Sequence, residues 1–193
     1  MAKVNRAKAW KNACMVLCLL CALGALAMLF VVAVQKDAET SYLGWQVTFG
    51  YNKVTQITNT LTHTEHILAF SFGNFLPYLM VAVAIFCCVF ALFYKKQGLV
   101  LAVLTMLLFF AAGVIFLNQA GNVEPYTQGL RNTLTAANVA EAEINEQIYQ
   151  YVMNFRKPLQ VATGGYVAAI CCFVAAVSAL LSKIMWQIYH KSV

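Results

Sequence analysis

Charged residues are scarce in this sequence, and its long apolar runs have almost none. Only 10% of the 193 residues are charged and 62% are hydrophobic, whereas a soluble domain carries about 25% charged and about 45–50% apolar residues. Four apolar runs contain no Asp, Glu, Arg or His, and Lys183, near the end of the last run, is their only lysine. These absences argue against a soluble globular protein and predict a multi-pass membrane protein.

The four runs predict an all-α integral membrane protein, a four-transmembrane-helix bundle formed as a single membrane domain over residues 1–193. Each run is long enough to cross a hydrocarbon core of roughly 30 Å. The first is longer than the apolar region of a signal peptide, which has about 7–15 residues, so we interpret it as a retained span. The predicted spans are about 13–34, 75–94, 99–117 and 160–185, and the segments between them that leave the membrane are 35–74 and 118–158.

Acidic residues are missing from the ends and the short loop of the chain, and this asymmetry predicts the topology. All seven acidic residues lie in the two long polar segments. The basic residues without acidic neighbours are Lys3, Arg6, Lys8, Lys11, Lys95, Lys96, Lys183 and Lys191. Short basic segments stay in the cytoplasm, so we expect a plasma-membrane protein with both termini cytoplasmic and both long segments outside. The net charge of +6 is then a topology signal, and no nucleic-acid partner is expected.

The two external segments have no cysteine and no Asn-x-Ser/Thr site. An external disulfide framework within the chain is therefore excluded. Cys18-Leu19-Leu20-Cys21 formally matches C-x-x-C, which would suit a membrane thiol oxidoreductase. That chemistry needs cysteines in exported loops to exchange with a substrate, so we interpret the seven cysteines as small packing residues.

The last span sorts its residues by size around the helix. Small residues lie within roughly 100° of one another and bulky ones lie opposite. In lipid, a seam of small residues lets helices approach closely, so we predict that this face packs against the other spans. The predicted helix-packing seam is Gly164, Ala168, Cys171, Cys172, Ala175, Ala179 and Ser182 on the last span, with Cys14, Cys18, Cys21 and Ala25 on the first.

The first external segment predicts a β-hairpin. Apolar residues alternate with Gly, Gln and Thr over 43–51, which is the period of a strand with one apolar face. A β-branched, Thr-rich run over 54–64 follows a plausible turn at 51–53. The aromatic-rich stretch Phe70–Phe75 is typical of a membrane interface.

The second external segment predicts an amphipathic helix near 132–157, with apolar residues at spacings of three and four. Candidate external interaction residues on the two segments are Trp45, Phe49, Tyr51, Ile144, Ile148, Tyr151 and Phe155. His63-Thr64-Glu65-His66 is the only cluster with metal-ligand chemistry. We interpret it as a solvated loop because a third ligand is not identifiable, and no metal or other cofactor is expected.

Two motifs carry a resemblance to a family. Gly44-Trp45-Gln46-Val47-Thr48-Phe49-Gly50-Tyr51, followed by Phe70-Ser71-Phe72-Gly73-Asn74-Phe75-Leu76-Pro77-Tyr78, resembles small uncharacterised bacterial four-span membrane proteins, which carry a "G-(W/F)-x-x-x-F-G" element before the second span. The resemblance covers roughly residues 1–118 and implies a four-span fold without an assigned activity. The topology is also similar to that of claudins and tetraspanins, but the external cysteines of those families are missing.

These features favour a non-enzymatic scaffold or accessory subunit of a cell-envelope membrane complex. Its partners would be the lipid bilayer and either other membrane subunits or further copies of the chain. A component of a transporter or channel is the alternative, although ionisable residues that usually mark such pathways are missing from the spans. The membrane thiol oxidoreductase is the third hypothesis.

Overall fold

The structure, a computed structural model, describes residues 2–35, 41–58, 61–93, 98–154 and 160–191, and it is mostly helical there. The helices are α1 (Ala2–Ala27), α2 (Gly44–Phe49), α3 (Phe72–Phe93), α4 (Gly98–Asn118), α5 (Glu124–Ala136), α6 (Glu141–Asn154) and α7 (Thr163–Lys191). The strands are β1 (Val32–Gln35), β2 (Ser41–Leu43), β3 (Tyr51–Thr58), β4 (Leu61–Leu68) and β5 (Gln160–Val161). Short 3₁₀ turns follow α1 and α4, at Met28–Phe30 and Gln119–Gly121.

Four helices are long and apolar enough to cross a membrane, as expected of a multi-pass membrane protein. The qualifying segments are Lys8–Phe30, Phe72–Ala91, Leu99–Gly121 and Thr163–Met185, with mean hydropathies of 2.2 to 2.8. The first span differs at its end from the sequence-based boundary. The apolar run predicts a first span that extends to residue 34, but Val32–Gln35 forms β1. β-branched apolar residues suit a buried strand as well as a membrane span.

The chain divides into two compact units. The helical unit comprises Met1–Met28, Leu76–Leu117 and Tyr166–Val193, and the sheet unit comprises Leu29–Phe75 and Asn118–Gly165.

In the helical unit, short contacts pair the four long helices in the order α1, α3, α4, α7 and back to α1. Met15 and Cys88 bring their sulfur atoms to 3.2 Å between α1 and α3. The rings of Tyr78 and Phe116 meet edge to face between α3 and α4, with centroids 4.8 Å apart. The remaining two contacts join α4 to α7 (Phe110 with Phe173) and α7 to α1 (Ser182 with the Lys11 carbonyl).

In the sheet unit, β1 is the central strand of a three-stranded antiparallel sheet with the order β2-β1-β5. Val32 pairs with Leu43 of β2, and Val34 pairs with Val161 of β5. The amide of Ala162 extends this ladder by donating to the Ala33 carbonyl at 2.8 Å. The sheet therefore joins the chain leaving α1 to the chain entering α7.

The strand predicted over residues 43–51 is wrong, because Gly44–Phe49 forms the helix α2. Two side-chain hydrogen bonds explain the difference. Gln46 accepts the Leu43 amide through Oε1 at 2.9 Å, and Thr48 donates through Oγ1 to the Gly44 carbonyl at 2.7 Å. Gly50 then ends the helix at φ 93°, a conformation that glycine adopts without strain.

A β-hairpin does follow, but its strands are β3 and β4 and not the predicted pair. They are antiparallel, with Tyr51 opposite Leu68 and Thr58 opposite Leu61. Residues 51–53, the predicted turn, instead begin β3. The Thr-rich run is thus split between the two strands of one hairpin, and α5 packs along β4.

The single amphipathic helix predicted near 132–157 is two helices, α5 and α6, with a turn between them. Asn138 has φ 56°, in the left-handed region that Asn tolerates better than most residues. Its amide donates to the Thr135 carbonyl at 3.0 Å, and the Val139 amide donates to the Leu134 carbonyl at 3.1 Å. These are the two hydrogen bonds of a Schellman motif, so α5 ends there.

Candidate functional site

A buried polar network joins three separate segments of the sheet unit. Asn74 donates through Nδ2 to the Val47 carbonyl at the end of α2, at 3.1 Å. Asn122, from the segment after α4, donates through Nδ2 to Ser71 Oγ at 2.9 Å and to Asn74 Oδ1 at 3.1 Å. The Ser71 amide donates to the Thr48 carbonyl at 3.1 Å. Because these groups satisfy one another, the network fixes the backbone around α2 and the start of α3.

Four phenylalanines form a cluster beside this network. Phe75 lies at its centre, with ring centroids 5.9 Å from Phe49, 6.1 Å from Phe70 and 6.5 Å from Phe72. The three outer rings are exposed by 51%, 54% and 58% respectively. We call Phe49, Phe70, Phe72 and Phe75 the phenylalanine cluster. It is an exposed apolar surface held on a rigid polar support.

Four tyrosines, Tyr42, Tyr51, Tyr126 and Tyr151, lie at or against the core of the sheet unit. Tyr126 is buried, and its ring meets that of Tyr42 edge to face with centroids 5.9 Å apart. Tyr151 of α6 packs against the same core. Burial raises the pKa of Tyr126, and the nearby phenols of Tyr42 and Tyr151 raise it further.

The pKa of Tyr151 is also raised, first by burial and then by Tyr42. A group whose pKa is higher in the folded than in the unfolded state stabilises the fold at pH values below its unfolded-state pKa, which is about 10 for tyrosine. This stabilisation is lost as the pH rises towards the folded-state pKa. These phenols therefore stay protonated and structural at neutral pH.

Gln119 is a buried amide without a hydrogen-bond partner among the described residues. It lies in the 3₁₀ turn after α4 and is 1% exposed, and neither Oε1 nor Nε2 makes a hydrogen bond. The turn contacts β1 and β5. A buried amide that stays unsatisfied costs about 1–3 kcal/mol.

Helix α6 has one buried side and one exposed apolar side. Ile144 is buried, and Ile148 and Tyr151 are half-buried on the same side. Tyr149, Val152 and Met153 are exposed, and their spacing of three and four places them together on another face. We call these three residues the α6 apolar face. Arg131 of α5 donates to Asn145 Oδ1 at 2.8 Å and so links α6 to its neighbour.

The structure places the predicted seam of α7 as follows. Ala168, Cys172, Ala175, Ala179 and Ser182 are buried, and Cys171 is half-buried. On α1, Cys18 and Ala25 are buried, and Cys14 and Cys21 are half-buried. A Cβ on Gly24 would lie 3.4 Å from Cys171 Sγ, so the two helices approach closely at this level.

Gly164 has a different environment from the rest of the seam. A Cβ there would lie only 2.6 Å from the Val32 carbonyl oxygen. Its role is therefore to let the start of α7 pass the backbone of β1 in the sheet unit. On the bulky side of α7, Tyr166, Ile170, Val177 and Ile184 are exposed, but Phe173 lies over Gly113 of α4, where a Cβ would be 2.8 Å from its ring.

The structure does not bring the external interaction candidates together on one surface. Trp45 and Phe49 lie one turn apart on α2, with Trp45 half-buried, and Tyr51 begins β3. Ile144 is buried, Tyr51 and Tyr151 pack against the core of the sheet unit, and Phe155 lies outside the described residues. The sequence did not lead us to Tyr149, Val152 or Met153, the residues of the α6 apolar face. Apolar residues spaced three and four apart on the second face of α6 are the pattern that could have identified them.

The other chemically reactive groups do not assemble into a site in the described part of the chain. All seven cysteines are free thiols. No group of three His, Cys, Asp or Glu among the described residues could hold a metal ion. His63 and His66 both lie on β4.

Fold and site together define a class of mostly helical protein that has four helices long and apolar enough to span a membrane and a second, αβ unit. The chain matches no protein-family model, no curated protein and no solved structure.

Proposed function

We propose that this chain is a non-enzymatic scaffold or accessory subunit of a cell-envelope membrane complex. The sheet unit lies outside the plasma membrane, and both termini lie in the cytoplasm. The observation that carries the proposal is the α6 apolar face, which leaves Tyr149, Val152 and Met153 exposed on a helix whose other side is packed. Exposed apolar side chains that share one face, bordered by polar residues, mark interaction surfaces.

The charge distribution supports the orientation. Glu124, Glu141, Glu143 and Glu146 lie on α5 and α6 in the sheet unit, and all are exposed. The basic ends of the chain would stay in the cytoplasm. A cysteine at Asn132, in a cysteine-free background, should react with a membrane-impermeant reagent added outside the cell. Reaction only from the cytoplasmic side would reverse the topology.

The interior of the helical unit supports a structural role over transport. Thr105 donates to the Leu101 carbonyl at 2.7 Å, and Ser182 donates to the Lys11 carbonyl at 3.3 Å. These buried hydroxyls thus bind backbone groups. Ser178 is a further buried hydroxyl, and most other buried side chains of this unit are small and apolar or aromatic, such as Ala84, Phe109 and Ala112. This is the packing expected of a static bundle.

The test is affinity purification of the tagged chain in mild detergent, with identification of the co-purifying membrane proteins. We expect a defined partner with the unaltered chain. Met153→Glu should lose that partner while keeping normal expression and thermal stability, because the charge must be desolvated in an apolar interface. Asn132→Glu adds the same charge on the exposed side of α5 and should retain the partner.

Two results would contradict the proposal. The chain could purify without any stoichiometric partner from every detergent, or Met153→Glu and Asn132→Glu could retain partners equally well. Solute flux through vesicles that contain only this chain would instead support the transporter alternative.

A further inference from the structure

We propose that the phenylalanine cluster binds the interfacial region of the lipid bilayer, so that α2 lies on the membrane surface. The sequence alone places Phe70–Phe75 at an interface. The structure adds Phe49 of α2, whose ring centroid is 5.9 Å from that of Phe75. The sheet unit then has a membrane attachment of its own, besides the chain connections to the spans.

The position of the cluster follows from the geometry of α3. Its span, Phe72–Ala91, has 20 residues, which at 1.5 Å per residue is roughly 30 Å, the thickness of the hydrocarbon core. Phe72 and Phe75 occupy the first turn of this helix. They must therefore lie at one boundary of the hydrocarbon core, and a ring in contact with Phe75 lies near the same boundary.

The orientation of Phe49 follows from the polar network on the other side of the cluster. Asn74 binds the Val47 carbonyl, and the Ser71 amide binds the Thr48 carbonyl. Both contacts hold the end of α2 against the start of α3. Phe49 is thus fixed on the exposed side, and little side-chain or backbone entropy remains to be lost when it enters the interface.

Lipid suits this surface better than a charged or polar partner. The segments that carry the cluster, 41–51 and 67–79, contain no charged residue. Exposed aromatic rings next to the end of a span are typical of the membrane interface. Further along α3, Leu79, Val83 and Phe86 are also exposed, as expected for residues that face lipid.

The experiment measures the surroundings of a single tryptophan at position 49. Trp10, Trp45 and Trp186 are replaced by Phe, and Phe49→Trp is added. The full chain is reconstituted in phosphatidylcholine vesicles with or without bromine near the headgroup end of the acyl chains. The matched control is Tyr149→Trp in the same background, since Tyr149 is 55% exposed but lies on α6.

We expect brominated lipid to quench the tryptophan at position 49 several times more than the control. Aqueous acrylamide should quench the control more. Quenching by acrylamide and not by brominated lipid would overturn the proposal, because the residue would then face water. Protection from both quenchers would also overturn it, because a protein partner or a second copy would then cover the site.

Loss of Trp45, which is half-buried in α2, could prevent folding of the tryptophan-free background. Phe70→Trp in a chain that retains Trp45 serves in that case. The added fluorescence should be quenched by brominated lipid, and its insensitivity to brominated lipid would contradict the inference.

Discussion

The helical unit and the sheet unit are stabilised in different ways, although both are rich in apolar residues. In the helical unit, small side chains such as Ala175 and Cys172 are fully buried and let the helices meet. In the sheet unit, strand pairing between distant segments and the Asn74–Asn122 network determine the arrangement. The small-residue packing of the helical unit can be predicted from the spacing of residues along one helix. The arrangement of the sheet unit depends on contacts between residues that are far apart in sequence. Substitutions should therefore affect the two units through different mechanisms.

The largest effect is expected at Gly164, where the start of α7 passes β1. Gly164→Ala would place a Cβ 2.6 Å from the Val32 carbonyl oxygen, and one of the two backbones would have to move. We expect the free energy of unfolding to fall by about 3 kcal/mol or more. The measurement is an unfolding titration with SDS in mixed micelles.

The control for that variant is Gly121→Ala. In the part of the chain that the structure describes, no atom lies within 4 Å of a Cβ at Gly121, which is exposed after α4. It should change stability by less than about 0.5 kcal/mol. If the two variants were equally stable, the close approach of α7 to β1 would be incorrect.

The next effect is expected in the packing of α7 in the helical unit. Ala175 is 0% exposed, and Val177, two residues further, is 57% exposed. Ala175→Leu should destabilise the bundle by about 1–3 kcal/mol, because a close-packed interior tolerates no added methylenes. Val177→Leu should be nearly neutral in the same SDS titration. Equal tolerance at both positions would mean that the faces of α7 are assigned incorrectly.

A smaller effect is expected from Asn74 in the polar network. Asn74→Leu removes the donor to the Val47 carbonyl and the acceptor of Asn122 Nδ2. The unpaired groups should cost about 1–2 kcal/mol. Asn132→Leu, on the exposed side of α5, is the control. Limited proteolysis can show whether the loss is local, since the end of α2 should become more readily cleaved only in Asn74→Leu.

The comparison of the two units also explains which features could be predicted. The four spans and the small side of α7 follow from apolar length and helical periodicity, which are local properties. The helix α2 could not be recognised from its alternating pattern, because the Gln46 and Thr48 side chains stabilise the helix against it. The turn at Asn138 was missed because a left-handed Asn interrupts an otherwise continuous apolar spacing.

The sheet and the phenylalanine cluster were unpredictable for another reason. The pairing of Val34 with Val161 joins residues from opposite ends of the chain, and a short strand such as β5 carries no periodic signal. The contact between Phe49 and Phe75 depends in the same way on the network around Asn74. Proximity of this kind arises only when the segments have folded together.

The smallest effect, and one of opposite sign, is expected at Gln119. Its amide is buried and makes no hydrogen bond with the described residues, so an apolar side chain of similar length removes a desolvation cost without breaking a hydrogen bond. Gln119→Met should leave the protein as stable as before or stabilise it by about 1 kcal/mol. Gln46→Met is the contrasting variant, because it removes the acceptor of the Leu43 amide and should destabilise the protein by a similar amount. Gln46→Met should thus lower the unfolding midpoint, whereas Gln119→Met should leave it unchanged or raise it. A clear destabilisation by Gln119→Met would show that its amide has a bound partner, such as a buried water that links the 3₁₀ turn to β1 and β5.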